Sequence, residues 1–184
     1  LSVFNARPTM LSVSDSQIHE LNPLNSLESG NAIEFLSQPY SNKLKDLSSV
    51  YLQLQIQLLK ADGTAHSGEG QGRLANNIMS TLFDSAYVSL NNTLVSAVDA
   101  NFGFKEFWET SLNYGTETSA ARLLCQGYNP DDEADVLQEL TKDSVVRELY
   151  GKINLCSLSK LLIPGVSFQL KLNRAVNPYY LIEN

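Results

Sequence analysis

The sequence predicts an all-β, antiparallel architecture, and three observations predict it. Leu52, Leu54, Ile56 and Leu58 alternate with Gln53, Gln55 and Gln57, and Val166, Phe168, Leu170 and Leu172 alternate with Ser167, Gln169, Lys171 and Asn173. Period two places the aliphatic side chains of each run on one face and the polar ones on the other, the mark of a strand with one buried and one wet side. Ala86, Val88 and Leu90 repeat the pattern and lead into Asn91-Asn92, residues that tolerate the positive φ of a tight hairpin turn. Strand and helix patterns do not alternate regularly, which argues against a parallel α/β sheet.

Taken in chain order, residues 1–30 are polar and weakly periodic, with Pro23 and many Ser and Asn. They read as an N-terminal arm or extended segment with room for one short strand. A disordered terminus and an arm that reaches a neighbouring subunit both suit that composition. Residues 31–184 read as a single domain. It opens on a strand over Ala32–Leu36 (AIEFL), followed by a polar link with Pro39, Asn42, Lys43 and Lys45 and then the Leu52–Leu58 strand. Lys60–Arg73 holds four glycines and reads as a mobile loop.

Asn76 or Asn77 is placed to cap a short helix over Ile78–Phe83. The hairpin of Ala86–Leu90 and Thr93–Val98 follows. Phe104, Phe107, Trp108 and Leu112 then share one face at helical spacing, with Gly115 suited to end that helix. A second short helix is expected over Thr118–Gln126, with Ala121, Leu124 and Cys125 inward, and Pro130–Asp135 reads as an acidic loop. A strand lies within Ser144–Leu158, with Leu149, Ile153 and Leu155 in phase and Lys152 and Asn154 opposed. Pro164-Gly165 turns the chain into the Val166–Leu172 strand, and Tyr179–Ile182 reads as a last edge strand entered through Pro178. Seven or eight strands, two or three short helices in the connections and long loops favour a two-sheet sandwich of Greek-key or jelly-roll type, and the fold class expected is an eight-stranded antiparallel jelly-roll β-sandwich.

The totals fit that expectation. A chain of 184 residues buries roughly 70% of its unfolded surface without a disulfide or metal staple. Its net charge of −7 leaves it poorly suited to nucleic acid, which is bound through Lys and Arg, so no direct nucleic-acid binding is expected. No apolar run approaches a membrane span. Leu1–Met10 is mixed, with Asn5, Arg7 and Pro8, and does not read as a secretory leader; the start on Leu1 suits a fragment or a processed form. Cys125 and Cys156 match no ligand spacing and read as two reduced cysteines in a reducing compartment.

Residues suited to chemistry are sparse. His19 and His66 have no second His or Cys at ligand spacing, and only Glu20 adjoins His19. Gly68–Gly72 (GEGQG) lacks the GK[ST] ending of a phosphate loop. Asp131, Asp132, Glu133 and Asp135 lack the central Gly of a calcium loop and read as a solvated acidic turn, although Glu139 lies downstream. No GxSxG elbow is present, and Asn91-Asn92-Thr93 reads as a hairpin turn rather than a glycan acceptor. No catalytic residue, cofactor or metal is expected. Phe102, Phe104, Phe107 and Trp108 have two readings, a core-facing helix stripe or a contact surface for a neighbouring subunit, since aromatic residues anchor interfaces.

The order of these features resembles a known family. Asn76-Asn77, a short apolar helix ending in Leu82-Phe83, the strand Tyr87-Val88-Ser89-Leu90-Asn91, and Glu109, Leu112, Asn113, Tyr114 and Gly115 follow one another as in the major capsid proteins of Polinton/Maverick (adintovirus-like) elements. Leu161-Leu162-Ile163-Pro164-Gly165-Val166, continuing through Leu170, Leu172 and Arg174, is similar to a later segment of that family. The resemblance spans roughly Ala32–Asn184. It departs at Asn92, where the family more often has Gly, and at Phe104-Lys105-Glu106, where an aromatic-Arg-aromatic run is usual.

The resemblance implies a double jelly-roll capsid subunit that stands in an icosahedral shell as a pseudo-hexagonal trimer, with this chain as the first of two rolls. It implies a virion location, self-association as a homotrimer, contacts with neighbouring capsomers and with a minor or penton capsid protein, and no catalytic residues. A single-roll minor or penton-type capsid protein and a ligand-binding β-sandwich module are the alternatives. Phe102, Phe104, Phe107 and Trp108 are the expected subunit-interface residues.

Overall fold

The computed structural model describes residues 15–27, 32–60, 62–65, 72–98, 100–115, 123–129, 142–156, 160–175 and 181–183. Within them the chain is mostly β, with eight strands in three antiparallel sheets. The strands are β1 (Ala32–Ser37), β2 (Tyr51–Ile56), β3 (Gly72–Leu74), β4 (Phe83–Leu90), β5 (Thr93–Val98), β6 (Arg147–Lys152), β7 (Phe168–Arg174) and β8 (Leu181–Glu183). The largest sheet has the order β1-β7-β4-β5; β2 pairs with β6, and β3 with β8. Two α-helices, α1 (Ile78–Thr81) and α2 (Phe102–Asn113), and four short 3-10 turns lie in the connections.

The register of the large sheet shows how alternation becomes a core. Ile33, Leu172 and Ala86 lie side by side across three strands, as do Phe35, Leu170 and Val88, and Ser37, Phe168 and Leu90. Residues opposite one another share a face, so the first two rows stack apolar groups across β1, β7 and β4, and the third does so across β7 and β4 with Ser37 at its β1 end. Burying one such Val, Leu or Phe side chain stabilises the fold by roughly 1.5–3 kcal/mol. On the outer face Glu34 stands opposite Lys171, and the two form an ion pair at 3.0 Å. In β2 the burial alternates as expected, with Leu52, Leu54 and Ile56 turned inward and Gln53 and Gln55 outward. Leu52 joins Leu149 and Ile153 in the same core as Ile33, Phe168 and Leu172, so one continuous cluster joins the large sheet to the β2–β6 pair.

One step in β4 departs from simple alternation. Phe83 pairs with Arg174 and Ser85 with Asn173, so Asp84 is an extra residue at a bulge. The insertion shifts the parity of the strand, which is why Phe83 and Ala86 both face the core. Phe83 is therefore the first residue of β4 rather than the last of a helix, and α1 ends at Thr81.

The hairpin turn is as expected. Asn91 and Asn92 have φ of 47° and 62°, the left-handed pair that matches the twist of flanking strands. Asn also starts both α-helices, but not by capping. Asn77 and Asn101 sit at the helix starts with φ of 58° and 68° and make no side-chain cap hydrogen bond. Their contribution is a left-handed backbone that redirects the chain, a conformation Asn adopts more readily than most residues.

Two edges of the large sheet differ. Along β1 the backbone N–H of Leu24 donates to Glu34 O at 2.8 Å, Glu34 N donates to Asn25 Oδ1 at 3.1 Å, and Asn25 Nδ2 donates to Ala32 O. Residues 24–25 of the segment read as an arm thus cover their own sheet edge. Lys45 secures the other end of β1. Its Nζ donates to the carbonyls of Ser37, Gln38 and Val166 at 3.1, 2.7 and 3.0 Å, and its backbone forms a two-way bridge with Leu162. At the opposite edge, β5 exposes Leu94 and Val95.

Other expectations need adjustment. The glycine-rich stretch Lys60–Arg73 ends inside β3, so Gly72 and Arg73 are strand residues, while His66, Gly68 and Gly70 lie outside the described residues. The strand expected within Ser144–Leu158 is β6, which ends at Lys152 before a 3-10 turn over Asn154–Cys156. Of the helix expected over Thr118–Gln126, residues 118–122 lie outside the described residues and Leu123–Gln126 forms a 3-10 turn. Its inward residues are Leu123 and Gln126, while Leu124 and Cys125 are exposed, because the tighter turn shifts the facing positions. Ala121, Pro130–Asp135, Glu139, Pro178 and Tyr179 lie outside the described residues.

Candidate functional site

Helix α2 carries the four residues that the sequence singles out, and the structure separates them. Phe102 is 2 % exposed and belongs to the core. Phe104 and Trp108 are 51 % and 60 % exposed, and Leu112, one turn further, is 79 % exposed. The side facing the protein consists of Phe102, Gly103, Glu106 and Thr110. Of the two readings of this stripe, the core-facing one holds for Phe102 alone, a core anchor that offers no surface to a neighbour, while Phe104, Trp108 and Leu112 face outward.

The physical reason is rotation about the helix axis. Residues 102, 106 and 110 lie at spacing four and form one seam, and at 100° per residue Phe104 lies about 200° round from Phe102. Once Phe102 is fixed in the core, Phe104, Trp108 and Leu112 point away from it. Ala100 and Asn101, with φ of 49° and 68°, set that rotation by turning the chain sharply before the helix. Asp84 Oδ1 at the bulge accepts from Asn101 N at 3.4 Å.

Phe107 sits between the two faces and is half-buried. Its ring packs edge-on to Trp108, with centroids 5.8 Å apart, and tilts against Tyr128 at 6.2 Å. The Tyr128 hydroxyl lies 3.2 Å from Ser111 Oγ, so the 123–129 turn buttresses this flank of the helix. Lys105 and Glu109 form an exposed ion pair at 3.5 Å beside the outward stripe, worth little to stability in water. Gly115 follows the helix without the left-handed geometry of a glycine cap, and Tyr114 at the helix end is extended.

Beneath α2 lies a buried polar group that sequence reading does not reveal. Glu106 Oε2 accepts a hydrogen bond from Asn154 Nδ2 at 2.9 Å, and its Oε1 is buried without a hydrogen-bond partner among the described residues. Burial, with the nearby Glu109 carboxylate second, pushes the Glu106 carboxyl up to about 7. Burial and the adjacent Glu106 push the Cys156 thiol up to about 12. The signal available in the sequence was the spacing of four from Phe102 to Glu106 to Thr110, which places the acid on the seam once Phe102 is taken as the anchor.

His19 is exposed; its Nδ1 lies 3.0 Å from Glu20 O and its ring tilts against Tyr40 at 5.8 Å. Among the described residues, no three His, Cys, Asp or Glu side chains converge to hold a metal ion, and no helix is long and apolar enough to cross a membrane. On the outer face of β2 and β6, Tyr51 and Tyr150 stack with centroids 5.1 Å apart and planes 8° from parallel, and Gln53 Nε2 donates to Glu148 Oε1. Comparison with protein-family models, with curated proteins and with solved structures returned no match.

Proposed function

We propose that the chain is a structural capsid subunit, a jelly-roll sandwich that assembles with copies of itself into a trimeric capsomer of an icosahedral shell. The observation that carries the assembly reading is the outward stripe of α2. Trp108 and Leu112 expose large apolar side chains on a rigid helix, the kind of anchor that buried interface centres use.

The strand pairing supports the jelly-roll part. β1 pairs with β7, and within that pair β2 joins β6. Nested antiparallel pairs of this kind arise when one long hairpin is rolled up, as in double-sheet rolls. The similarity of residues 76–115 and 161–174 to the Polinton/Maverick capsid family points the same way. On this reading the shell is the protein's location, its partners are neighbouring capsomers and a minor or penton protein, and no catalysis is involved.

Sedimentation of the purified chain over a wide concentration range tests the proposal. Reversible association to a trimer supports it, with electron microscopy of the full-length polypeptide showing shells. A monomer that persists at the highest attainable concentration, together with no particles from the full-length polypeptide, overturns it. A native polypeptide about twice this length is expected for the double-roll form.

A ligand-binding sandwich is the second reading, and the exposed Tyr51–Tyr150 stack is the observation that favours it. A glycan array separates the two: specific retention that is lost in Tyr150→Ala supports the ligand module.

A further inference from the structure

We propose that Glu106 is a proton-operated latch for α2: the neutral acid seats the helix on the body of the domain, and ionisation releases it. The inference stands whatever the outward stripe binds.

The geometry is that of a seam built around one acid. Glu106 lies midway along the inward face of α2, between Phe102 and Thr110, and is 1 % exposed. One oxygen accepts from the neutral amide of Asn154, and the other has no partner among the described residues. A carboxylate in such a place lacks the donors and the counter-charge that would offset its desolvation, whereas the protonated acid needs far less.

Among the described surroundings, Lys105 is a cation that favours the carboxylate, and it does not outweigh the effect of burial. On its own helix the charged neighbours are Glu109, which disfavours the carboxylate, and Lys105, which is exposed and bound to Glu109. The turn after β6 brings Asn154 and the Cys156 thiol, which stays neutral. Helix α1 carries no titratable side chain, and the 123–129 turn brings Tyr128, whose hydroxyl meets Ser111 on the flank of α2. β4 contributes Tyr87 and Asp84, and Asp84 is engaged at the start of α2 with Asn101 N.

The direction follows from linkage. The seated carboxyl titrates at about 7, against an ordinary value of 4.5 when released. The seated state therefore holds the proton more tightly, and seating weakens as the pH rises from about 4.5 through 7. Release would swing Trp108 and Leu112 with the helix, so pH would control how the outward stripe is presented.

Hydrogen exchange of the α2 amides, corrected for intrinsic rates, tests the latch between pH 5.5 and 8.5. Protection of 106–113 is expected to fall about thirtyfold, the factor set by a carboxyl at about 7 seated and 4.5 released. Fluorescence of Trp108, the only tryptophan, is expected to titrate in parallel. In Glu106→Gln, which keeps an acceptor for Asn154 and cannot ionise, both changes are expected to vanish. A flat wild-type profile, or an unchanged profile in Glu106→Gln, overturns the proposal. Asn154→Leu provides a second arm should Glu106→Gln fold poorly. Loss of the side-chain donor to the carboxylate is expected to move the midpoint upward, and an unmoved midpoint also overturns the latch.

Discussion

Asn76 holds Asn129 by a two-point amide clasp: Asn76 Nδ2 donates to Asn129 O at 2.6 Å, and Asn76 Oδ1 accepts from Asn129 N at 2.8 Å. The side chain imitates one rung of a β-ladder and ties the entry of α1 to the end of the 123–129 turn. Asn77 N adds a third link by donating to Gly127 O at 2.8 Å. Removing the clasp takes two hydrogen bonds from a partly buried backbone. Asn76→Ala is expected to lower stability by about 2 kcal/mol, and Asn76→Asp, which keeps the acceptor but loses the donor, by about half as much. Urea denaturation with an unchanged m-value checks both; an Asn76→Ala variant as stable as the parent would show the clasp to be incidental.

Gly127 and Ile78 are fitted to one another at the same junction. Gly127 has φ of +75°, and a Cβ there would lie 2.3 Å from Ile78 Cγ2. Gly127→Ala therefore meets backbone strain and a steric clash together, with an expected loss of about 3 kcal/mol or more. The two causes separate in a double-mutant cycle. With Ile78→Ala in the background the clash disappears, and the added cost of Gly127→Ala is expected to shrink to about 1 kcal/mol of left-handed strain. Additive costs would mean that the clash is relieved by movement elsewhere.

What the sequence revealed and what it hid divide along a physical line. β2 and β7 were legible because period two depends only on which side of a strand faces the core, and Leu52 or Leu170 has no competing face. The parity change at Asp84 was not legible, because a bulge is set by the register of β4 against β7 rather than by β4 alone. Helix α2 was legible as a helix but not in its rotation. It has two apolar sectors, Phe102 on one and Phe104, Trp108 and Leu112 on the other, and only the tertiary partner decides which is buried. A lone Glu on a helix reads as a solvated residue, so Glu106 could not be told from Glu109 without that rotation. Asn76 and Asn77 advertised a helix start, yet one clasps a distant turn and the other supplies a left-handed backbone.

The two sectors of α2 predict opposite mutational outcomes. Phe102→Ala opens a cavity in the core and is expected to cost about 3–5 kcal/mol. Trp108→Glu and Leu112→Glu alter exposed positions and are expected to change stability by no more than about 0.5 kcal/mol. If the outward stripe is an assembly surface, the latter pair should nonetheless abolish self-association. Thermal melts paired with light scattering measure the two effects separately. Strong destabilisation by Trp108→Glu would place that side chain in the core and contradict its orientation.

The cysteines give a prediction that needs no substitution. Cys125 is exposed on the 3-10 turn, whereas Cys156 is buried and its thiol is pushed up to about 12. The thiolate is the reactive form, so burial slows Cys156 twice, by excluding the reagent and by keeping the thiol protonated. With an aromatic disulfide reagent at pH 8, one thiol per chain is expected to react promptly and the second only as fast as the domain opens. Adding denaturant should bring the second rate up to the first. Prompt reaction of both thiols in the folded protein would place Cys156 at the surface and remove the wall on which Glu106 rests. A slow phase that quickens from pH 6 to pH 8 more than thiol ionisation alone allows would instead report α2 loosening above its buried acid.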